Sequence, residues 1–94
     1  MKEVSIDTRK RIVKIDSEIH KLPKLEFDLL VYLYNQPGTV VTRDEILATI
    51  WGTPHVTERT IDVHVANLRR KVGNDKIITF RGVGYTWKED GEDV

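Results

Sequence analysis

The residues best able to do chemistry in this chain of 94 lie between Glu58 and Tyr85. ERTIDVHVANLRRKVG carries arginine, histidine and asparagine at helical spacing, and TFRGVGYTW sets an arginine beside a Gly-x-Gly. With Ile61 at zero and about 100° per residue, Ile61, Val65, Leu68 and Val72 fall within about 40° of one line, a core-facing seam. Arg59, Val63, Ala66, Asn67 and Arg70 fall opposite. Thr60, His64 and Lys71 lie along one edge, Asp62 and Arg69 along the other. A purely solvated face would favour Lys/Glu pairs, whereas this one mixes arginine, asparagine and small apolar side chains. That mixture suits a DNA major groove: Asn pairs with adenine, Val and Ala touch a thymine methyl, and Arg reaches guanine or a phosphate. An ordinary amphipathic helix fits the same spacing, so both readings stand at this point.

The Gly-x-Gly invites a nucleotide reading, which the spacing rejects. A dinucleotide fingerprint needs a third glycine at position 87 and a helix after it. Position 87 is Trp87, and the chain continues with β-formers. Gly82 and Gly84 read instead as the conformationally permissive turn of a hairpin that holds Arg81 at its tip.

The rest of the chain supplies elements to position these groups. Val4–Ile6, Arg11–Ile15 and Glu18–Leu22 are short strands with polar turns between them, an antiparallel meander over residues 1–22. Pro23 opens a first helix, residues 23–36, whose LEFDLLVYLY is apolar nearly all round and ends at NQPG. Thr39–Val41 is an extended link. Thr42 and Glu45 form a capping box for a second helix, 42–51, with Ile46, Leu47, Ile50 and Trp51 on one stripe. Thr57 caps a third helix, 57–72, of about 22 Å, stopped by Gly73-Asn74-Asp75. Two strands then make a hairpin over 77–87, and residues 89–94 form an acidic tail that reads as disordered.

Composition is compatible with this scheme. Hydrophobic residues make up 39% and charged residues 32%, cysteine is absent, and the formal net charge is zero. The charge is unevenly spread: Thr57 to Thr86 holds six basic against three acidic side chains, and the last eight residues one lysine against four acids. Local charge governs binding, so the zero total does not argue against a nucleic-acid partner. No apolar run reaches the ~18 residues of a membrane span, and a cytoplasmic protein without a membrane partner is expected. His20 and His55 have no metal-like or catalytic neighbours, so no metal site, cofactor or catalytic residue is assigned and the chain is expected not to be an enzyme.

A helix pair followed by a ribbon is a helix-turn-helix with a wing. PKLEFDLLVYLYNQPGTVVTRDEIL, IWG, ERTIDVHVANLRRKVG and IITFRGVGYTW resemble, in order and spacing, the winged-helix output domain of OmpR/PhoB-type bacterial response regulators. The resemblance runs from about Val4 to Trp87. It implies an α+β winged helix-turn-helix over residues 1–88: N-terminal antiparallel β-meander, three helices, C-terminal β-hairpin wing. It also implies sequence-specific binding of double-stranded DNA and regulation of transcription within a two-component system. The recognition helix would enter the major groove and the wing the adjacent minor groove.

The same resemblance assigns roles. Val63, Asn67 and Arg81 would contact bases. Trp51, Arg59, Thr60, His64, Arg69, Arg70, Thr79 and Tyr85 would contact the DNA backbone. The loop 52–56 would offer a contact to RNA polymerase. Two copies would pair as a tandem homodimer on direct repeats, brought together by receiver domains of the same chain, while the isolated domain is expected to be a monomer. About four to six phosphate contacts would give a salt slope near −4 to −5.

The chain departs from the family pattern in several places. Pro23 stands where Thr or Ser commonly caps the first helix, although Glu26 keeps its place three positions on. Asn67 stands where some members carry arginine, which points to adenine in place of guanine. Three N-terminal strands are visible where the family commonly has four, and the receiver is missing, so either an excised output domain or a natural stand-alone one is expected, the abrupt start favouring the former. The competing class is a winged-helix protein-interaction module, which would not need Arg59, Arg69, Arg70 and Arg81 together. RNA is disfavoured because the wing lacks an aromatic ladder.

Overall fold

The structure, a computed structural model, describes residues 3–52 and 58–88. The expected loop 53–56, the Thr57 cap and the acidic tail 89–94 lie outside them. Strands β1 (Val4–Asp7), β2 (Ile12–Ile15) and β3 (Glu18–His20) form an antiparallel meander in that order, with Val4 opposite Ile15 and Val13 opposite His20. Asp16 and Ser17, both at positive φ (48° and 71°), make the two-residue turn between β2 and β3. That twist matches the right-handed twist of the strands it joins.

Helix α1 (Lys24–Tyr34) buries Phe27, Leu29, Leu30 and Leu33. Pro23 sits at the cap itself and not in the first turn, and no side chain caps this helix. Thr42 does cap the next helix, accepting the Glu45 N–H at 3.1 Å. Only half of the expected capping box forms, because the Glu45 carboxylate takes the Tyr32 hydroxyl. Helix α2 is a single turn (Arg43–Ile46) that widens into a π-helical turn over Leu47–Trp51.

Helix α3 (Glu58–Val72) lays its seam on this core: Ile61, Val65, Leu68 and Val72 are each at most 1% exposed. Burying four such side chains favours folding by about 1.5–3 kcal/mol each. The wing is strands β5 (Ile77–Phe80) and β6 (Gly84–Trp87), and the link before α2 adds a two-residue strand β4 (Val41–Thr42), giving the order β4-β6-β5.

The two wing glycines have different causes. Gly82 has φ +76° at the third position of a turn closed by the Val83 N–H on the Phe80 carbonyl at 2.9 Å, as a type II turn requires. Gly84 is not part of that turn, contrary to the reading from sequence. It lies in β6, where an added Cβ would stand 2.0 Å from the Val41 carbonyl oxygen. Its lack of a side chain lets β4 pair with β6.

Candidate nucleic-acid interface

The outward line of α3 is open. Arg59, Val63, Ala66 and Arg70 are exposed, Val63 by 54%, and Thr60 is half-buried beside them. Arg81 and Val83 stand exposed at the wing tip. Arg59, Arg70 and Arg81 make no hydrogen bond or ion pair with another described residue. Unpaired guanidiniums arrayed on one helix line and one loop tip form a surface to which anions are attracted.

The edge of α3 facing α1 is organised around Glu26, a carboxylate only 4% exposed. Its Oε2 accepts from His64 Nδ1 at 3.0 Å and from Asn67 Nδ2 at 3.2 Å. Lys71 Nζ lies 3.6 Å from Oε1. Burial raises the Glu26 pKa, but the two hydrogen bonds and the charges of Lys71 and His64 outweigh it, so the carboxyl lies below its usual range. An ionised carboxylate only accepts, so His64 must carry its proton on Nδ1. The indole of Trp51 is tilted against the His64 ring, centroids 5.5 Å apart. Asn67 thus sits on this edge with His64, and not on the open face where the wheel put it, because Glu26 draws its amide across.

The opposite edge ties α3 to the wing. Arg69 donates to the Ile77 carbonyl from Nε (3.0 Å) and Nη2 (2.8 Å), and to the Thr79 hydroxyl. Tyr85 donates its hydroxyl to Asp62, and Arg43 bonds both Asp62 (3.0 Å) and the Tyr85 oxygen (3.2 Å). The guanidiniums of Arg43 and Arg69 lie 5.0 and 5.7 Å from the Tyr85 ring centroid. Burial, then the Asp62 hydrogen bond and charge, push the Tyr85 hydroxyl up against the opposing pull of Arg43.

Three residues expected on the DNA backbone are engaged within the protein. Tyr85 is 3% exposed with its hydroxyl donated to Asp62. The reason is that β6 is the middle strand of its sheet and is covered on both sides. Arg69 and Thr79 are bonded to one another, and the arginine is spent on joining helix to wing. Asp62 pairs with Arg43 of α2. Sequence reasoning missed Glu26 and Arg43 as partners of α3. An acid within the largely apolar LEFDLLVYLY was the available signal for Glu26, although Asp28 shares it; for Arg43 there was none.

Comparison with known proteins fits this geometry. Residues 16–87 match the family described as transcriptional regulatory protein, C terminal. The transcriptional regulatory protein VxrB of Vibrio cholerae is 45% identical over 86 residues, covering 90% of this chain and 35% of VxrB. The chain spans well under half the length of the curated relatives it matches. Among solved structures, the DNA-binding domain of the response regulator AdeR in complex with an intercistronic region superimposes with a TM-score of 0.83 at 31% identity, covering 95% of this chain and 97% of that one. The response regulator DrrB of Thermotoga maritima, an OmpR/PhoB homolog, gives 0.84 at 33% identity, covering 92% of this chain and 42% of DrrB.

Proposed function

Because the chain belongs to the C-terminal family of transcriptional regulatory proteins, as an OmpR/PhoB-type winged-helix domain, we propose that it binds double-stranded DNA sequence-specifically and regulates transcription as the output domain of a two-component response regulator. The observation that carries this reading is a set of three arginines without a partner among the described residues, Arg59 and Arg70 on α3 and Arg81 at the wing tip. AdeR, solved on an intercistronic region, supports it. In this reading the domain acts by binding.

In this reading α3 enters the major groove, where Val63 meets a thymine methyl and Asn67 an adenine edge. Arg59, Thr60, Arg70, His64 and the Trp51 indole hold phosphates. Arg81 enters the adjacent minor groove, where a narrow A·T-rich tract has enhanced negative potential. Arg69, Thr79 and Tyr85 hold the wing at its angle to α3. One module covers about 600–1,000 Å² and binds weakly alone. Two copies therefore pair in tandem on direct repeats, brought together by receiver domains in the cytoplasm, and residues 52–56 contact RNA polymerase.

Selection from random duplex DNA tests the proposal. An enriched half-site repeated in the same orientation is expected. With three arginines displacing counterions, Arg59 and Arg70 at phosphates and Arg81 in the minor groove, log affinity per domain falls against log salt with a slope of about −3. That is shallower than the slope expected from sequence, because Arg69 is engaged within the protein. A salt-independent affinity, or no enriched motif, refutes the proposal.

A further inference from the structure

We propose that Glu26, on α1 and away from the exposed line of α3, is a positioning residue for base readout: it fixes which edge Asn67 shows to the DNA. The inference rests on the DNA-binding reading above and deepens it. A buried carboxylate is costly unless its oxygens are satisfied. Glu26 nevertheless interrupts a helix whose neighbours Phe27, Leu29 and Leu30 are all buried and apolar. What it reaches is on α3: Asn67 Nδ2 at 3.2 Å and His64 Nδ1 at 3.0 Å on one oxygen, and Lys71 at 3.6 Å from the other.

The chemistry of the pair decides the orientation. A carboxylate held ionised accepts and never donates, so only the NH₂ end of the Asn67 amide can face it. One N–H is spent on Glu26. The carbonyl oxygen and the second N–H lie together on the other edge, the acceptor and donor that adenine N6 and N7 require. A flipped amide would exchange donor and acceptor on that edge and misread the base. Glu26 therefore removes an ambiguity that asparagine carries by itself. His64 shares Oε2 with Asn67, and the Lys71 charge stands 3.6 Å from Oε1, a buried oxygen that accepts no hydrogen bond among the described residues.

Glu26→Gln tests this, since glutamine keeps the size but both accepts and donates, which readmits the flipped amide. Selection from random duplexes is run on the wild-type chain, Glu26→Gln, Asn67→Ala and the double variant. Glu26→Gln and Asn67→Ala are expected to lose discrimination at the same single base pair by at least about five-fold, the equivalent of about 1 kcal/mol. The double variant should lose no more than Asn67→Ala, with the salt slope unchanged throughout. A wild-type motif retained by Glu26→Gln, or an affinity loss spread evenly over all sequences, overturns the inference. Failure of the DNA-binding reading would show separately, as no motif in the wild-type chain. Should Glu26→Gln not fold, NMR of the wild-type domain without DNA decides. One Asn67 side-chain N–H proton is expected downfield and protected from exchange, and both protons at exposed-amide positions would overturn the inference.

Discussion

Arg69→Ala distinguishes two accounts of one arginine. As a phosphate ligand, Arg69 would be idle in the free protein. As a strut, it joins α3 to the wing in every folded molecule, through two bonds to the Ile77 carbonyl and one to Thr79. Hydrogen bonds from a charged donor contribute about 1.5–3 kcal/mol, and partial exposure of this side chain favours the low end. A loss of about 2 kcal/mol in a domain this size lowers Tm by about 8–16 °C, which thermal unfolding without DNA would read. On DNA, the effect should pass through Arg81, because a loosened wing no longer delivers it. Arg69→Ala and Arg81→Ala should then be non-additive, with a coupling of about 0.5–3 kcal/mol in a double-mutant cycle. A phosphate ligand predicts the opposite: unchanged Tm, additive losses, and a salt slope shallower by about 0.9. That combination would refute the strut.

Other perturbations test the remaining contacts. Gly84→Ala must displace β4, since its Cβ would meet the Val41 oxygen at 2.0 Å, whereas Gly82→Ala meets nothing within 4 Å and costs only the left-handed backbone, about 1–2 kcal/mol; thermal unfolding should rank Gly84→Ala as clearly worse, and the reverse order would contradict the packing. With Nδ1 of His64 on Glu26, Nε2 is the ring nitrogen left to face a phosphate. His64→Ala should weaken binding to all duplexes alike without changing the enriched motif, and unchanged affinity would remove His64 from the phosphate contacts. Glu26 and Asp28 are both raised by burial but lowered further, by His64, Asn67 and Lys71 in one case and by Lys24 and Arg11 in the other. A lowered folded-state pKa contributes stability present above the unfolded carboxylate value and lost as pH falls through the folded one. Urea midpoints should therefore drop on acidification less steeply for Glu26→Gln than for wild type; parallel profiles would mean that Glu26 contributes nothing to the acid limb.

The sequence by itself determined the elements and which side of each turns inward. Ile61, Val65, Leu68 and Val72 could be named as a seam because helical periodicity is a property of neighbours three and four apart, and all four are buried. The hairpin after Asp75 was legible because Gly82 answers a local backbone demand. Arg59, Val63, Arg70 and Arg81 could likewise be placed on an open face or tip. What only the tertiary structure decided is which polar groups are already spent. Glu26 meets His64 and Asn67 across 38 and 41 residues of chain, and Arg43 meets Tyr85 across 42. Gly84 is small for the sake of Val41, again from a distant part of the chain. Local pattern carries no information on such encounters, because they are fixed by how the helices and the sheet pack. A helical wheel therefore finds the exposed face of a helix, and packing determines which of its hydrogen-bonding groups are free to use there.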